Sequence, residues 1–83
     1  MERDMNKILY RGWIILPTAL PTTDGQWMAS CDLARMEADG LEVFEGVTLQ
    51  FVRAYQADAI RAACDEARRQ VDNILADPLT RLA

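Results

Sequence analysis

Apolar and polar residues alternate along much of the first two thirds of the chain, which is the pattern of half-buried β-strands. From Gln26 to Leu33 every second residue is apolar, and these are Trp27, Ala29, Cys31 and Leu33. The intervening residues are mostly polar, so we expect an antiparallel strand with one buried face. An earlier segment, from about Ile8 to Leu20, is rich in β-branched and aromatic residues and predicts a first strand.

Glycine and proline residues set the limits of these strands. Gly12 suggests a bulge or a close backbone approach within the first strand, and Pro17 and Pro21 place its far end at a sheet edge or already in a loop. Turns are predicted at Pro21–Gly25 and Glu37–Gly40, because Asp and Gly tolerate positive φ. Segment 41–53 alternates again, and we interpret it as one bent strand. Gly46 either marks a bulge in that strand or splits the segment into two short strands.

The clearest element is a helix from about Gln56 to Leu75. Its apolar positions recur at intervals of three and four, and they are Ala59, Ile60, Ala63, Cys64, Ala67, Val71, Ile74 and Leu75. The opposite face is charged and offers i,i+4 pairs such as Arg68–Asp72. Asp77-Pro78 follows and ends the helix.

The order of these elements predicts an α+β fold. Short connections favour an antiparallel β-meander of three strands, or four if segment 41–53 divides, with one C-terminal α-helix packed on one face. We expect a single domain over residues 8–76, between a flexible N-terminus at 1–7 and a flexible tail at 77–83.

Composition narrows the class of protein further. The chain has 83 residues and a net charge of -4, which disfavours binding to nucleic acid or to an anionic membrane surface. No apolar run approaches the roughly 20 residues needed to cross a bilayer. No signal peptide is visible at the N-terminus, so we expect a small soluble protein in the cytoplasm with reduced thiols.

Residues that usually perform catalysis are scarce. The chain has no histidine, which removes the commonest general base and metal ligand, and its four glycines are scattered without a phosphate-binding motif. Cys31 and Cys64 fall on the predicted apolar faces, so they could lie near each other, and we expect them to be buried and inert. We therefore expect no catalytic residues, no metal site, no cofactor and no enzymatic activity.

The first strand is apolar on both faces, whereas one helix covers one face. Ile14 and Leu16 point one way, and Trp13 and Ile15 point the other. The second face is covered either by the chain's own segments or by another protein, most simply a second copy. We take Tyr10, Trp13 and Ile15 as the candidate interaction surface, with Trp13 facing outward. Trp13 could also pack against Trp27 across neighbouring strands.

Acidic residues cluster between positions 32 and 45, and the candidate site includes Glu37, Asp39, Glu42 and Glu45. These side chains either face water or meet a basic partner protein.

Three stretches of the chain resemble a group of small bacterial proteins that have no assigned activity. They are Tyr10-Arg11-Gly12-Trp13-Ile14-Ile15, Asp24-Gly25-Gln26-Trp27-Met28-Ala29, and the Ala-rich helix ending Arg68-Arg69-Gln70-Val71-Asp72. The layout is also similar, more loosely, to the strand-strand-strand-helix domain of HicB-type antitoxins. That resemblance implies a small toxin ribonuclease as partner. The proline-and-glycine motif of that family is absent, since the sequence here reads Leu33-Ala34-Arg35-Met36-Glu37.

Two functional hypotheses follow. The first is a non-catalytic interaction module that self-associates, as a homodimer in the simplest case, through its second sheet face or a strand edge. The second is an antitoxin-like or regulatory protein that binds a basic protein partner through the acidic region.

Overall fold

A computed structural model of the chain describes residues 7–38, 40 and 42–76. It contains an antiparallel five-stranded sheet and one C-terminal helix, in the order β1 (Ile8–Tyr10), β2 (Trp13–Pro21), β3 (Trp27–Met36), β4 (Glu42–Val47), β5 (Phe51–Arg53) and α1 (Gln56–Ala76). Strands β1 to β4 form a meander, and β5 pairs with β3. The predicted α+β class, the antiparallel meander and the single C-terminal helix are confirmed. The expected flexible termini fall at 1–6 and 77–83, outside the described residues, apart from Lys7.

The predicted first strand is divided into β1 and β2 by a tight turn. Tyr10 pairs with Trp13, so Arg11 and Gly12 form a two-residue hairpin loop with φ angles of 53° and 84°. Positive φ at both central positions is the type I′ geometry, which matches the twist of the flanking strands. The expectation of a bulge at Gly12 inside one strand is therefore wrong, because Gly12 closes a hairpin.

Strand β2 has a neighbour on both sides only along its first residues. Within the described residues β1 pairs with Trp13 to Ile15, and the rest of β2 pairs with β3 alone. Pro17 and Pro21 lie in this second part, where a missing backbone N–H costs no ladder bond on the unpaired side. The predicted edge position of the two prolines is confirmed.

Segment 41–53 forms two strands along the same edge of β3. A register shift leaves Glu45 as the extra residue of a bulge beside Gly46, which confirms the bulge suggested by that glycine. The interpretation of one bent strand is wrong, because the chain leaves the ladder between Val47 and Phe51.

Thr48 replaces part of that interrupted ladder. Its backbone N–H donates to the Cys31 carbonyl at 2.8 Å, and its Oγ1 accepts from the Cys31 backbone N–H at 2.9 Å. The same hydroxyl donates to the Leu49 carbonyl at 3.0 Å. The Thr48 hydroxyl thus accepts the hydrogen bond that a neighbouring strand backbone would accept in a regular ladder. Thr48 is buried.

Helix α1 packs on the face of the sheet that carries Trp13, Ile15 and Leu33. Its own contact residues are mostly small, and those that are fully or nearly fully buried are Ala59, Ala63, Cys64, Ala67 and Val71. Small side chains let the helix backbone approach the sheet closely, which produces a thin, dense core. The predicted bounds of the helix, from about Gln56 to Leu75, are confirmed to within one residue.

Candidate functional site

The sheet has a second side, away from α1, which we call the open face. Because side chains alternate along a strand, the residues between the core positions of β2 and β3 point to this side. Strand register arranges them in rows, which are Leu9–Ile14–Ala34, Leu16–Asp32–Val47, Thr18–Ser30 and Leu20–Met28–Val52. Most of these residues are aliphatic, so the open face lacks the polar character that a sheet face turned to water usually has.

Burial on the open face changes from one end to the other. Ile14 and Ala34, in the row nearest the β1–β2 turn, are 0% and 5% exposed, so the chain itself covers this part. Leu20 and Val52, in the row at the opposite end, are 55% and 46% exposed. We call the end with the buried Ile14 and Ala34 the covered end, where Leu9 at the margin of the same row is nevertheless 71% exposed, and the end with Leu20 and Val52 the uncovered end.

We call the uncovered group the aliphatic patch, and define it as Leu20, Met28, Val47 and Val52. Leu20 lies directly opposite Met28, and Met28 lies directly opposite Val52, so three of the four side chains form one cross-strand row. Val47 is also exposed, and it pairs with Asp32. Aliphatic side chains grouped in this way on a rigid sheet can bind another apolar surface by excluding water.

A shallow apolar cavity of about 230 Å³ lies at the covered end, between the β1–β2 turn and the end of β3. It is lined by Leu9, Gly12, Trp13, Ile14 and Met36. Leu9 and Met36 are exposed at its rim, so the cavity is open to solvent. The lining residues that the structure describes are uncharged and offer apolar contact.

The structure places Trp13 and Ile15 inside the core, facing α1. Trp13 is 7% exposed and Ile15 is completely buried. The expectation that Trp13 faces outward is wrong, because the helix covers the strand face that carries Trp13 and leaves the face of Leu16 and Leu20 open. Trp13 pairs with Arg35 and Trp27 pairs with Pro21, so the two tryptophans do not stand opposite each other.

Tyr10 packs at the margin of the same core and binds the helix through its hydroxyl. Tyr10 Oη donates to the carboxylate of Asp72 at 2.9 Å, and Arg11 Nη1 donates to the same carboxylate at 2.6 Å. These two hydrogen bonds lower the pKa of Asp72, and the Asp72 carboxylate raises the pKa of Tyr10. We call these three residues the Asp72 clamp, because they join the β1–β2 turn to the C-terminal half of α1.

Sequence reasoning missed the clamp and paired Asp72 with Arg68. In the structure Arg68 binds Asp65 at 3.3 Å, three residues earlier on the helix. Residues 61 positions apart meet only once the hairpin has packed on the helix, and no spacing rule within the helix contains that information. The local i,i+4 rule was therefore the wrong guide for this residue.

Two of the acidic candidates, Glu37 and Glu45, contact Arg35. Arg35 Nη1 lies 2.8 Å from Glu37 Oε2, and Arg35 Nη2 lies 2.8 Å from Glu45 Oε2. The hydrogen bond to Glu45 and the charges of both glutamates raise the pKa of Arg35. Glu42 belongs to β4 by its backbone, and Asp39 lies outside the described residues. Glu37 and Glu45 are thus brought together as an ion-paired group, with an internal counter-charge.

The two cysteines are both buried and lie on facing elements, β3 and α1. Their sulfur atoms are 3.9 Å apart. The predicted burial of both residues is confirmed, and their predicted proximity is confirmed as well.

Two features, a cluster of metal-ligating side chains and a membrane-spanning helix, are absent from the described residues. No group of three or more side chains of the metal-ligating types occurs there. No helix in the same residues combines the length and apolar character needed to span a bilayer.

Comparison of the chain with protein-family models, with curated protein sequences and with solved structures returned no match. The resemblances inferred from short sequence stretches therefore stay predictions.

Proposed function

We propose that the protein is a small, non-catalytic interaction module that self-associates through the aliphatic patch on the open face of its sheet. The observation that supports this most directly is one cross-strand row, in which the exposed side chains of Leu20 and Val52 flank the half-buried Met28. Three aliphatic side chains held in register on a sheet form a flat apolar surface that gains free energy when a second such surface covers it.

Charge favours a second copy of the chain as the occupant of the patch. Around the aliphatic patch the open-face rows contain one charged residue, Asp32, and the polar residues Thr18 and Ser30, whereas the row Met36–Glu42 lies at the other end of the face. A patch without a strong charge of either sign matches its own copy, because two identical apolar surfaces meet without like-charge repulsion. A two-fold contact places the same residues on both sides.

The experiment compares the solution mass of the wild-type protein with that of Leu20→Glu, measured by sedimentation equilibrium across a range of concentrations. We expect the wild type to reach twice the mass of one 9.4 kDa chain and Leu20→Glu to remain at the mass of one chain. The charge introduced at Leu20 would have to be desolvated in the interface, which prevents association.

Leu49→Glu is the matched control. Leu49 is also exposed, and it lies in the loop between β4 and β5 rather than in a row of the open face. We expect Leu49→Glu to associate like the wild type. A wild-type mass of a single chain at the highest concentration would contradict the proposal, as would equal loss of association in both variants.

A second candidate is an antitoxin-like or regulatory protein of the cytoplasm that binds a basic partner through its acidic region. The exposed cluster of Glu37, Arg35 and Glu45 supports it, because carboxylates there could exchange Arg35 for cations of a partner. The two candidates differ in salt dependence. Contact between apolar surfaces persists or strengthens as salt is added, whereas a complex held by carboxylates weakens.

A further inference from the structure

Cys31 and Cys64 form a facing pair of thiols in the core. Cys31 lies at the centre of β3 and is completely buried, and Cys64 lies on the sheet side of α1 and is 5% exposed. The two residues are 33 positions apart in sequence, yet their sulfur atoms are 3.9 Å apart.

We propose that this pair is a site of oxidative modification, at which a peroxide closes an intramolecular disulfide between β3 and α1. An S–S bond is about 2.05 Å long, so the two sulfur atoms need to approach by roughly 2 Å. The neighbouring contact residues of the helix are Ala63 and Ala67, whose small side chains let α1 lie close to β3.

The two thiols differ in reactivity, which sets the order of the reaction. Burial, followed by the proximity of Cys64, raises the pKa of Cys31 to about 12, so Cys31 stays protonated and is a poor first nucleophile. Cys64 is the more exposed of the two and meets the oxidant first. Local opening of the helix from the sheet admits a molecule as small as hydrogen peroxide.

The reaction balances in two steps. In the first step the Cys64 thiolate attacks one oxygen of the peroxide, the O–O bond breaks, and Cys64 sulfenic acid forms with release of one water after protonation. In the second step the Cys31 sulfur attacks the Cys64 sulfur, Cys31 loses its proton, and the hydroxyl of the sulfenic acid leaves as a second water. Two thiols are oxidised by two electrons, and one peroxide is reduced to two waters.

The test exposes the reduced wild-type protein to hydrogen peroxide and then measures its intact mass under denaturing, non-reducing conditions. We expect the mass of one chain less two hydrogen atoms, no thiol that reacts with a maleimide after denaturation, and full reversal by dithiothreitol. The oxidised protein should also melt roughly 10 °C or more above the reduced protein, because the cross-link restricts the unfolded chain.

Single substitutions test the order of the two steps. Cys31→Ala should accumulate a product that carries one additional oxygen on Cys64, since no second thiol is present to resolve it. Cys64→Ala should keep a free Cys31 thiol under the same exposure. Two free thiols in the treated wild type, a disulfide between two chains, or further oxidation without a cross-link would each overturn the proposal. The wild-type measurement does not depend on whether either variant folds, nor on self-association.

Discussion

Thr48 shows how a single residue holds an interrupted strand in place. Its backbone and its hydroxyl together bond both backbone groups of Cys31, and the hydroxyl also reaches the Leu49 carbonyl. The segment between β4 and β5 can therefore leave the regular ladder without stranding buried backbone groups of β3. A β-branched apolar residue would occupy similar space and keep the backbone bond to the Cys31 carbonyl, but it would lose both bonds of the hydroxyl.

We expect Thr48→Val to lower the free energy of unfolding by about 1–3 kcal/mol, because it leaves the buried Cys31 N–H without its acceptor. Thr48→Ser keeps the hydroxyl, so its free energy of unfolding should fall clearly less than that of Thr48→Val. Urea denaturation of the three proteins, followed by tryptophan fluorescence, measures the differences. Equal stability of Thr48→Val and wild type would show that this hydroxyl does not stabilise the fold.

At the scale of elements, the Asp72 clamp joins the first hairpin to the last helix. Tyr10 and Arg11 come from the end of β1 and the turn after it, and both donate to one carboxylate on α1. Since β1 has three residues and, in the described part of the chain, pairs only with β2, the clamp adds a second attachment for an edge strand. The hairpin and the helix should loosen together when the carboxylate is lost.

The clamp makes part of the stability dependent on pH. The pKa of Asp72 is lower in the folded protein, so the ionised carboxylate stabilises the fold at pH values above its ordinary 3.8. This stabilisation is lost as the pH falls through the lower, folded value. We expect wild type to be more stable than Asp72→Asn at pH 7, and the difference to shrink below about pH 4.

Thermal denaturation of both proteins between pH 7 and pH 2 measures this difference. Asp65→Asn is the control, because Asp65 binds Arg68 within the same exposed helical face rather than joining two elements. Its effect at pH 7 should be smaller than that of Asp72→Asn. A difference in melting temperature between wild type and Asp72→Asn that stays constant from pH 7 to pH 2 would rule out a charge effect.

The elements that the sequence predicted well are those with a clear periodicity. Alternation along β3 and the three-four spacing along α1 each determine which residues are buried, because one side of each element meets the core. The Arg11-Gly12 turn was missed, since arginine lacks the tolerance for positive φ that marks asparagine or aspartate in such turns. The end of β4 was missed because a side-chain hydroxyl, rather than a glycine or proline, lets the chain leave the ladder there.

The candidate site was harder to predict than the fold. Both faces of β2 are apolar, with Ile14 and Leu16 on one face and Trp13 and Ile15 on the other. Hydrophobicity could therefore not decide which face the helix covers. That choice depends on how well each face fits the small residues of α1, which is a property of the assembled core. The sequence analysis therefore placed the exposed apolar surface on the sheet face of Trp13 and Ile15, which the helix buries.

At the scale of the whole molecule, self-association makes stability depend on concentration. If two copies share the aliphatic patch, dissociation is part of unfolding, and mass action favours the folded dimer as the protein becomes more concentrated. We expect a tenfold increase in concentration to raise the melting temperature of the wild type by roughly 3–5 °C. The melting temperature of Leu20→Glu should not change with protein concentration.

Differential scanning calorimetry at several concentrations measures this dependence, and Leu49→Glu should follow the wild type. A wild-type melting temperature that does not change with concentration would argue for a folded monomer. Loss of the dependence in Leu49→Glu as well would move the contact from the open face to the strand edge.

The position of α1 after all five strands also affects how the chain is made. A ribosome releases the meander first, with Trp13 and Ile15 on a sheet side that nothing yet covers, and the helix that shields them follows about 20 residues after β3 has emerged. Nascent chains are exposed to aggregation during that interval. Any delay between formation of the meander and docking of α1 should therefore raise the demand for chaperones.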